Sequence, residues 1–396
     1  VGKLSIHAQD VLLRTCIGEG IALPDALRSQ GHSYDDLIYR ANAPVMPTMV
    51  TFHSPTDFNF PETAIPSVSF FSGCGGMDIG FRRAGFSVLA AFEINQTFCE
   101  TLRANDPALC VYGPPHGDGD LRNREAVAAI LENQIGVTAD FNGLFFGGPP
   151  CQPFSVAANQ RFAKWGDNFK RVGFADADEG TLLQDYAWYI QRFRPKAFVI
   201  ENVPGLTTVD RGVELTRVLA SLAEDGYEVT EPTILDAAHY GIPQQRNRLF
   251  VVGWRGHGKF EWPAQDLLPV PCEKALEGVP NADLSHVTRE HRAESITRYM
   301  NLSYGQRDHL GRVDRLDPNR SAKTVIAGGH RGGGRSPLHP HIPRTLSPRE
   351  CARLQTFPDS YKFCGSPARQ FTQIGNAVPP LLAMKIARSV QSGVFS

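Results

Sequence analysis

Four side chains in this sequence have the types and settings that covalent group transfer needs. Cys151 stands in FFGGPPCQPFS (145–155), a thiol set among prolines at the end of an apolar run. Proline fixes φ near −65° and removes an N–H donor, so this corner can be neither a strand interior nor a helix interior. A thiol held there is preorganised, and its thiolate is the form that attacks an electron-poor carbon. Glu201 closes the apolar run AFVI in KAFVIENVPG (196–205). An acid that ends a buried strand is partly desolvated, which raises its pKa and lets it hold a proton near neutral pH. Arg246 and Arg248 alternate in IPQQRNRLF (242–250), and alternation puts both on one face of a strand. Two guanidinium groups there suit a phosphate or a base carbonyl.

A second constellation points to a nucleoside. FFSGCGGMD (70–78) reads as a strand, a turn with Gly73, Gly75 and Gly76, and then a helix. Glycines in such a turn let backbone N–H groups approach a ligand closely. Glu93 ends the next strand, twenty residues after Gly73. A carboxylate in that place can take both hydroxyls of a ribose, which is the logic of an adenosine-binding Rossmann site. Asp120, in GDL (119–121), is placed where an acid could accept from an adenine amino group.

These residues need a scaffold, and the hydrophobic pattern supplies one. Strands are expected at SVSFF (67–71), SVLAAFE (87–93), GLFFGG (143–148), KAFVIEN (196–202), YEVTEPTILD (227–236) and RLFVVGWR (248–255). Helical patterns fall at MDIGFRRAGF, around 122–134, at TLLQDYAWYIQRF and at VELTRVLASLAEDG. The alternation predicts a doubly wound, Rossmann-like α/β sheet over residues 67–255. Ligands of such sheets bind outside the carboxyl ends of the strands, where the glycine turn, Cys151 and Glu201 all fall. The stretch 256–343 is rich in Gly, Pro, His and Arg without regular spacing, and is expected to be a smaller irregular domain. Residues 344–396 are expected to return to the sheet domain, with PPLLAMKIARSVQS as a helix beside the first strand. Residues 1–66 form an extension with three short amphipathic patterns, AQDVLLRTCIGEG, LPDALRSQG and SYDDLIYRA, before a Pro-rich connector. These are expected to be three helices, either a DNA-binding module or a piece packed on the main domain.

Bulk composition narrows the class. The chain has 396 residues, 20% charged and 42% hydrophobic, as an ordinary globular protein does. No run of about 18 apolar residues exists, so no membrane helix is expected. No basic-then-apolar leader is visible, which points to the cytoplasm. Eight cysteines form no CxxC pair, so neither a zinc site nor a disulfide framework is expected, and no metal. The net charge is −1, but residues 286–341 hold ten Lys or Arg against five Asp or Glu, a strip suited to a phosphate backbone.

In order, FSGCGG, PPCQPFS, ENV, QQRNR, RTLSPRECARLQTFPD (344–359) and QIGNAVPP (373–380) resemble the motifs of the DNA (cytosine-5) methyltransferase family of bacterial restriction–modification systems. The resemblance covers about 67–255 and 344–390, and it implies that the irregular stretch 256–343 between them is a target-recognition domain that reads bases in the major groove. It implies S-adenosylmethionine as cofactor and double-stranded DNA as partner, a cognate restriction endonuclease acting separately, and a monomeric enzyme. It implies Cys151 as nucleophile, Glu201 as acid, and Arg246 and Arg248 as supporting cations. Cofactor contacts would come from Phe71, Ser72, Gly73, Cys74, Gly75, Gly76, Glu93, Ile94, Asp120, Leu182, Asn376 and Val378. DNA contacts would come from Pro150, Gln152, Ser155 and Asn202, and from Arg331 and Arg335 in the glycine loop AGGHRGGGR. The family often has an aromatic residue after the ribose-binding acid; here Ile94 leaves only apolar contact. A tRNA cytosine-5 methyltransferase, a catalytically silent DNA-binding relative and an NAD dehydrogenase are the competing readings.

Overall fold

The computed structural model describes residues 2–50, 52, 65–150, 182–208, 212–266, 268–279, 284–326 and 336–396. The chain forms two compact units, one from 57–240, 246–265 and 377–396, the other from 1–56, 241–245 and 266–376.

The first of these carries an eight-stranded sheet. Its strands are β1 (Ile65–Phe70), β2 (Phe86–Phe92), β3 (Cys110–Tyr112), β4 (Leu144–Gly147), β5 (Ala197–Asn202), β6 (Glu228–Val229), β7 (Thr233–Asp236) and β8 (Asn247–Trp254). The order is β3-β2-β1-β4-β5-β8, with β6 and β7 both pairing along β8. The first five strands are parallel; β8 runs antiparallel to β5. The order reverses between β1 and β4, which creates the crevice where doubly wound sheets bind ligands.

Parallel strands are covered on both faces, and their near-continuous apolar sequences reflect it. Phe70 of β1 packs its ring 5.0 Å from Phe145, 5.2 Å from Tyr186 and 5.4 Å from Tyr189. The tyrosines come from helix Leu182–Phe193. Phe146 points the other way and stacks on Phe81 of helix Gly76–Arg83, 4.3 Å between centroids. The expected strand 227–236 is split into β6 and β7 at Glu231-Pro232, because proline cannot donate to a ladder. Helix Gln96–Asn105 and β3, for which no pattern was anticipated, complete the β2–β3 crossover.

Helix Pro380–Val394 does return to this unit, but it packs on helix Gly76–Arg83 rather than beside β1. Gly80 is the reason. A Cβ there would lie 2.5 Å from Ala383 Cβ and 2.6 Å from the Pro380 carbonyl oxygen, so only glycine permits the approach.

The second unit unites the N-terminal helices Ile6–Glu19 and Leu23–Ser29 with helix Ala293–Tyr299 around Leu12, Leu13, Leu27, Leu37, Ile296 and Met300. The third expected helix is a single 3₁₀ turn, Tyr34–Asp36, capped by Ser33. Beyond it Leu37 and Tyr39 are both buried, a spacing of two that demands extended chain. Residues 344–376 also lie in this unit rather than with the sheet. Arg344 explains it: the buried guanidinium forks onto Glu350 at 2.9 Å and reaches Asp35 at 2.6 Å. Among the described residues no helix is long and apolar enough to cross a membrane.

Candidate active site

Two clusters form at the carboxyl edge of the parallel strands. The first begins where β1 ends. Phe71, Gly73 and Gly75 have φ of 53°, 57° and 81°, so the chain turns through left-handed backbone before helix Gly76–Arg83. Gly73 N–H donates to Glu93 Oε2 at 2.8 Å and Asn95 N–H donates to Oε1 at 2.7 Å. Each carboxylate oxygen is thereby aimed, with lone pairs left for further donors. Burial lifts the Glu93 pKa to about 7, against the pull of those two N–H groups. Ile94 beside it is 56% exposed. A fixed carboxylate, an open glycine turn and a bare apolar side chain fit a ribose diol and an adenine face.

The remaining residues expected to touch a cofactor divide by environment. Ser72 turns its hydroxyl inward to Ser69 Oγ at 2.8 Å. Cys74 is buried, and burial pushes its thiol pKa up, so it packs rather than reacts. Both, with Gly76, are left to offer backbone only. Asp120 accepts from Arg122 Nε at 2.9 Å and Nη2 at 2.7 Å, and that guanidinium holds its carboxyl below the usual range. Leu182 opens its helix as a buried residue, and Val378 is buried in the same unit. Asn376 ends helix Pro367–Asn376 of the other unit.

The second cluster begins where β5 ends. Glu201 is buried, and Arg248 Nε lies 3.0 Å from its Oε1. Burial raises the Glu201 pKa, while the charges of Arg248 and then Arg246 oppose the rise. Arg246 is 1% exposed, with Nη2 donating to the Ala377 carbonyl at 2.8 Å and its backbone N–H to Asp236 Oδ1 at 2.9 Å. Burial lowers the pKa of both arginines. Asn202 Nδ2 donates to the Pro149 carbonyl at 3.0 Å, and Asn202 Oδ1 accepts from Val203 N–H. The ridge that leads into Cys151 is therefore pinned to the strand that carries Glu201. Pro150 is exposed at the end of that ridge. Cys151, Gln152, Ser155, Arg331 and Arg335 lie outside the described residues.

Three contributors went unforeseen. Gly148 is needed because a Cβ there would come 2.6 Å from Glu201 Oε2; its only signal was the doubled glycine before the prolines. Asn95 both fixes Glu93 and caps helix Gln96–Asn105 through its side chain, and an Asn before a helical stretch was a readable cue. Asp78, on the first turn of helix Gly76–Arg83, is buried and burial raises its pKa to about 6; an acid inside an apolar helix face left no legible signal.

The chain is similar to known proteins over most of its length. Residues 65–392 match the family model described as C-5 cytosine-specific DNA methylase. The Type II methyltransferase M.Sau96I of Staphylococcus aureus is 32% identical over 360 residues, covering 84% of this chain and 76% of that protein. M.NgoFVII of Neisseria gonorrhoeae is 30% identical over 348 residues, covering 82% and 85%. Among solved structures, a prophage-encoded DNA modification methyltransferase candidate from E. coli superposes with a TM-score of 0.68 at 25% identity, over 84% of this chain and all of that one. The Dnmt2 methyltransferase of S. pombe, at 17% identity and a TM-score of 0.57 over 83% and 99%, shares the fold.

Proposed function

The chain belongs to the C-5 cytosine-specific DNA methylase family and is a DNA (cytosine-5) methyltransferase; from that premise we propose a covalent route through Cys151 on a cytosine turned out of the duplex. C5 of cytosine is a weak nucleophile. The Cys151 thiolate adds to C6, which moves electron density toward C5 and divides one hard step into two. Glu201 donates a proton to N3 as negative charge develops there. Burial raises its pKa, which favours the protonated form that this step needs. Arg248 holds the cytosine O2 while keeping Glu201 oriented, and the charge of Arg246 supports the site and a nearby phosphate. S-adenosylmethionine, when bound, supplies the methyl group to C5. Glu93 grips its ribose, Ile94 covers its adenine, and the turn Phe71–Gly76 offers backbone N–H groups. A base then takes the C5 proton, N3 returns its proton to Glu201, and Cys151 leaves C6 as a thiolate, which restores the aromatic ring.

The base must be everted, because stacked neighbours cover both faces of the ring within a duplex. Pro150, Gln152 and Asn202 shape the pocket that receives it, Ser155 meets a phosphate, and Arg331 and Arg335 contribute to the DNA face. The relatives bear Type II methyltransferase names, and we read this chain likewise as the modifying half of a restriction–modification pair in the cytoplasm.

The observation that carries this reading is the buried Glu201–Arg248 pair beside the Pro149–Pro150 ridge. The test is a duplex containing 5-fluorocytosine, whose fluorine cannot leave as a proton does, so the adduct accumulates. Digestion should map the adduct to Cys151, and bisulfite sequencing of treated DNA should locate the target. Methyl label entering tRNA but not duplex DNA would refute the substrate, and an adduct at any other thiol would refute the nucleophile.

A further inference from the structure

In the unit built from residues 1–56, 241–245 and 266–376, one element exposes an apolar side chain on a braced basic support. Arg307–Asp308 and Val313–Asp314 pair antiparallel, and His309, Leu310, Gly311 and Arg312 form the tip between them. Leu310 is 76% exposed, and His309 beside it is exposed too. A bare leucine at a loop tip gains nothing from folding, yet this tip is held firmly. The buried Asp308 carboxylate accepts from Gly311 N–H at 2.7 Å and from Arg298 Nε at 3.1 Å. A Cβ on Gly311 would lie 2.5 Å from Asp308 Oδ2 and 3.0 Å from the Tyr299 hydroxyl, so a side chain there would push on the carboxylate that braces the tip. Val313 is rooted in the same core as Leu12, Leu13, Leu27 and Tyr299.

The charges are arranged with equal asymmetry. Both hairpin acids are taken up in ion pairs, Asp308 with Arg298, and Asp314 with Arg307 and Lys323 at 3.3 Å each. Arg298, Arg307, Arg312 and Lys323 thus set four cations against two carboxylates around the tip. The N-terminal helices that share its core lie outside the span that matches the family, 65–392.

We propose that the hairpin Arg307–Asp314 is a groove-reading probe, with Leu310 entering the major groove of the target duplex against base edges and Arg312 on the flanking phosphates. The major groove admits a two-stranded β-ribbon, and an apolar side chain there has the thymine methyl and base edges to cover. Backbone phosphates supply the complement to the cations. The inference rests on duplex DNA being the substrate.

The test compares the full-length protein with Leu310→Glu, Leu310→Ala and Arg312→Ala, and with Leu284→Glu as a control on a 92%-exposed leucine of the same unit. Duplex affinity is read by fluorescence anisotropy, alongside kcat at saturating DNA and S-adenosylhomocysteine affinity. Leu310→Glu should weaken duplex binding about tenfold or more and Leu310→Ala about threefold to tenfold, with kcat and S-adenosylhomocysteine binding held within about twofold. Arg312→Ala should reduce the slope of log affinity against log salt by about one. Leu284→Glu should match the wild type. Equal effects of Leu310→Glu and Leu284→Glu, or wild-type affinity in Leu310→Ala, would overturn the proposal. Failure of the wild type to methylate any duplex is a different result: it defeats the substrate reading, whereas the hairpin is judged by binding.

Discussion

Glu93 should impose opposite pH dependences on cofactor binding and on folding. Its pKa is raised from 4.5 to about 7, chiefly by burial. Only the ionised carboxylate can accept from two ribose hydroxyls as well as from Gly73 and Asn95 N–H. Between pH 8 and pH 6 the ionised fraction falls from about nine-tenths to about one-tenth, so the Kd for S-adenosylhomocysteine should rise about tenfold. The fold responds with the other sign. A carboxyl whose folded pKa exceeds its unfolded one contributes stability that is complete below about 4.5 and is lost as the pH rises through about 7. Acidification across that window should therefore weaken the ligand while favouring the ligand-free fold. Calorimetric titration at pH 6, 7 and 8, in two buffers of different ionisation enthalpy, reads the affinity and the proton released on binding. Glu93→Gln removes the titration and should flatten both profiles at a weaker affinity. A wild-type Kd that stays constant from pH 6 to 8, or a Glu93→Gln protein that keeps the wild-type slope, would end the ribose assignment.

Glu201→Gln keeps an amide oxygen for Arg248 but cannot deliver the proton; kcat should fall by about 10²–10⁴ with duplex affinity nearly unchanged, and a loss below tenfold would remove the acid role. Gly80→Ala should reverse the usual sign of such a change in a helix. Added helix propensity favours alanine by about 1 kcal/mol. The 2.5–2.6 Å clashes with helix Pro380–Val394 should cost about 1–3 kcal/mol more than that gain, so the thermal midpoint should drop. Arg315 stacks its guanidinium 3.5 Å from the Tyr39 ring and 4.1 Å from the Tyr304 ring while donating to the Pro340, Ala41 and Leu302 carbonyls. Arg315→Lys loses the planar fork and leaves carbonyls unpaired at about 1–3 kcal/mol each, which a denaturant melt will show as a lowered midpoint. An unchanged midpoint would mean that the Arg315 fork contributes nothing to holding the N-terminal segment on that unit.

The amino-acid sequence alone determined most of the strands that form the sheet and which residues fall at their carboxyl ends. Apolar runs of strand length closed by Gly, Pro or Glu are local patterns, and a strand's carboxyl end is where a parallel sheet opens a crevice. That is why the sequence pattern alone picks out Glu93 and Glu201, which the structure sets at the ends of β2 and β5. Tertiary structure decided the rest, because it turns on pairs distant along the chain. Periodicity reports which side of a strand is buried but not its direction, so nothing local marked β8 as antiparallel. Nothing near Glu201 announces that Arg248 will reach its carboxylate, or that Gly148 must lack a side chain to leave it room. The N-terminal helices show an apolar stripe whichever partner they have. The core they share with Ile296 and Met300, and the Arg344–Asp35 and Arg315–Ala41 contacts, commit them to the unit that carries the hairpin, since a buried guanidinium has to find all of its acceptors at once.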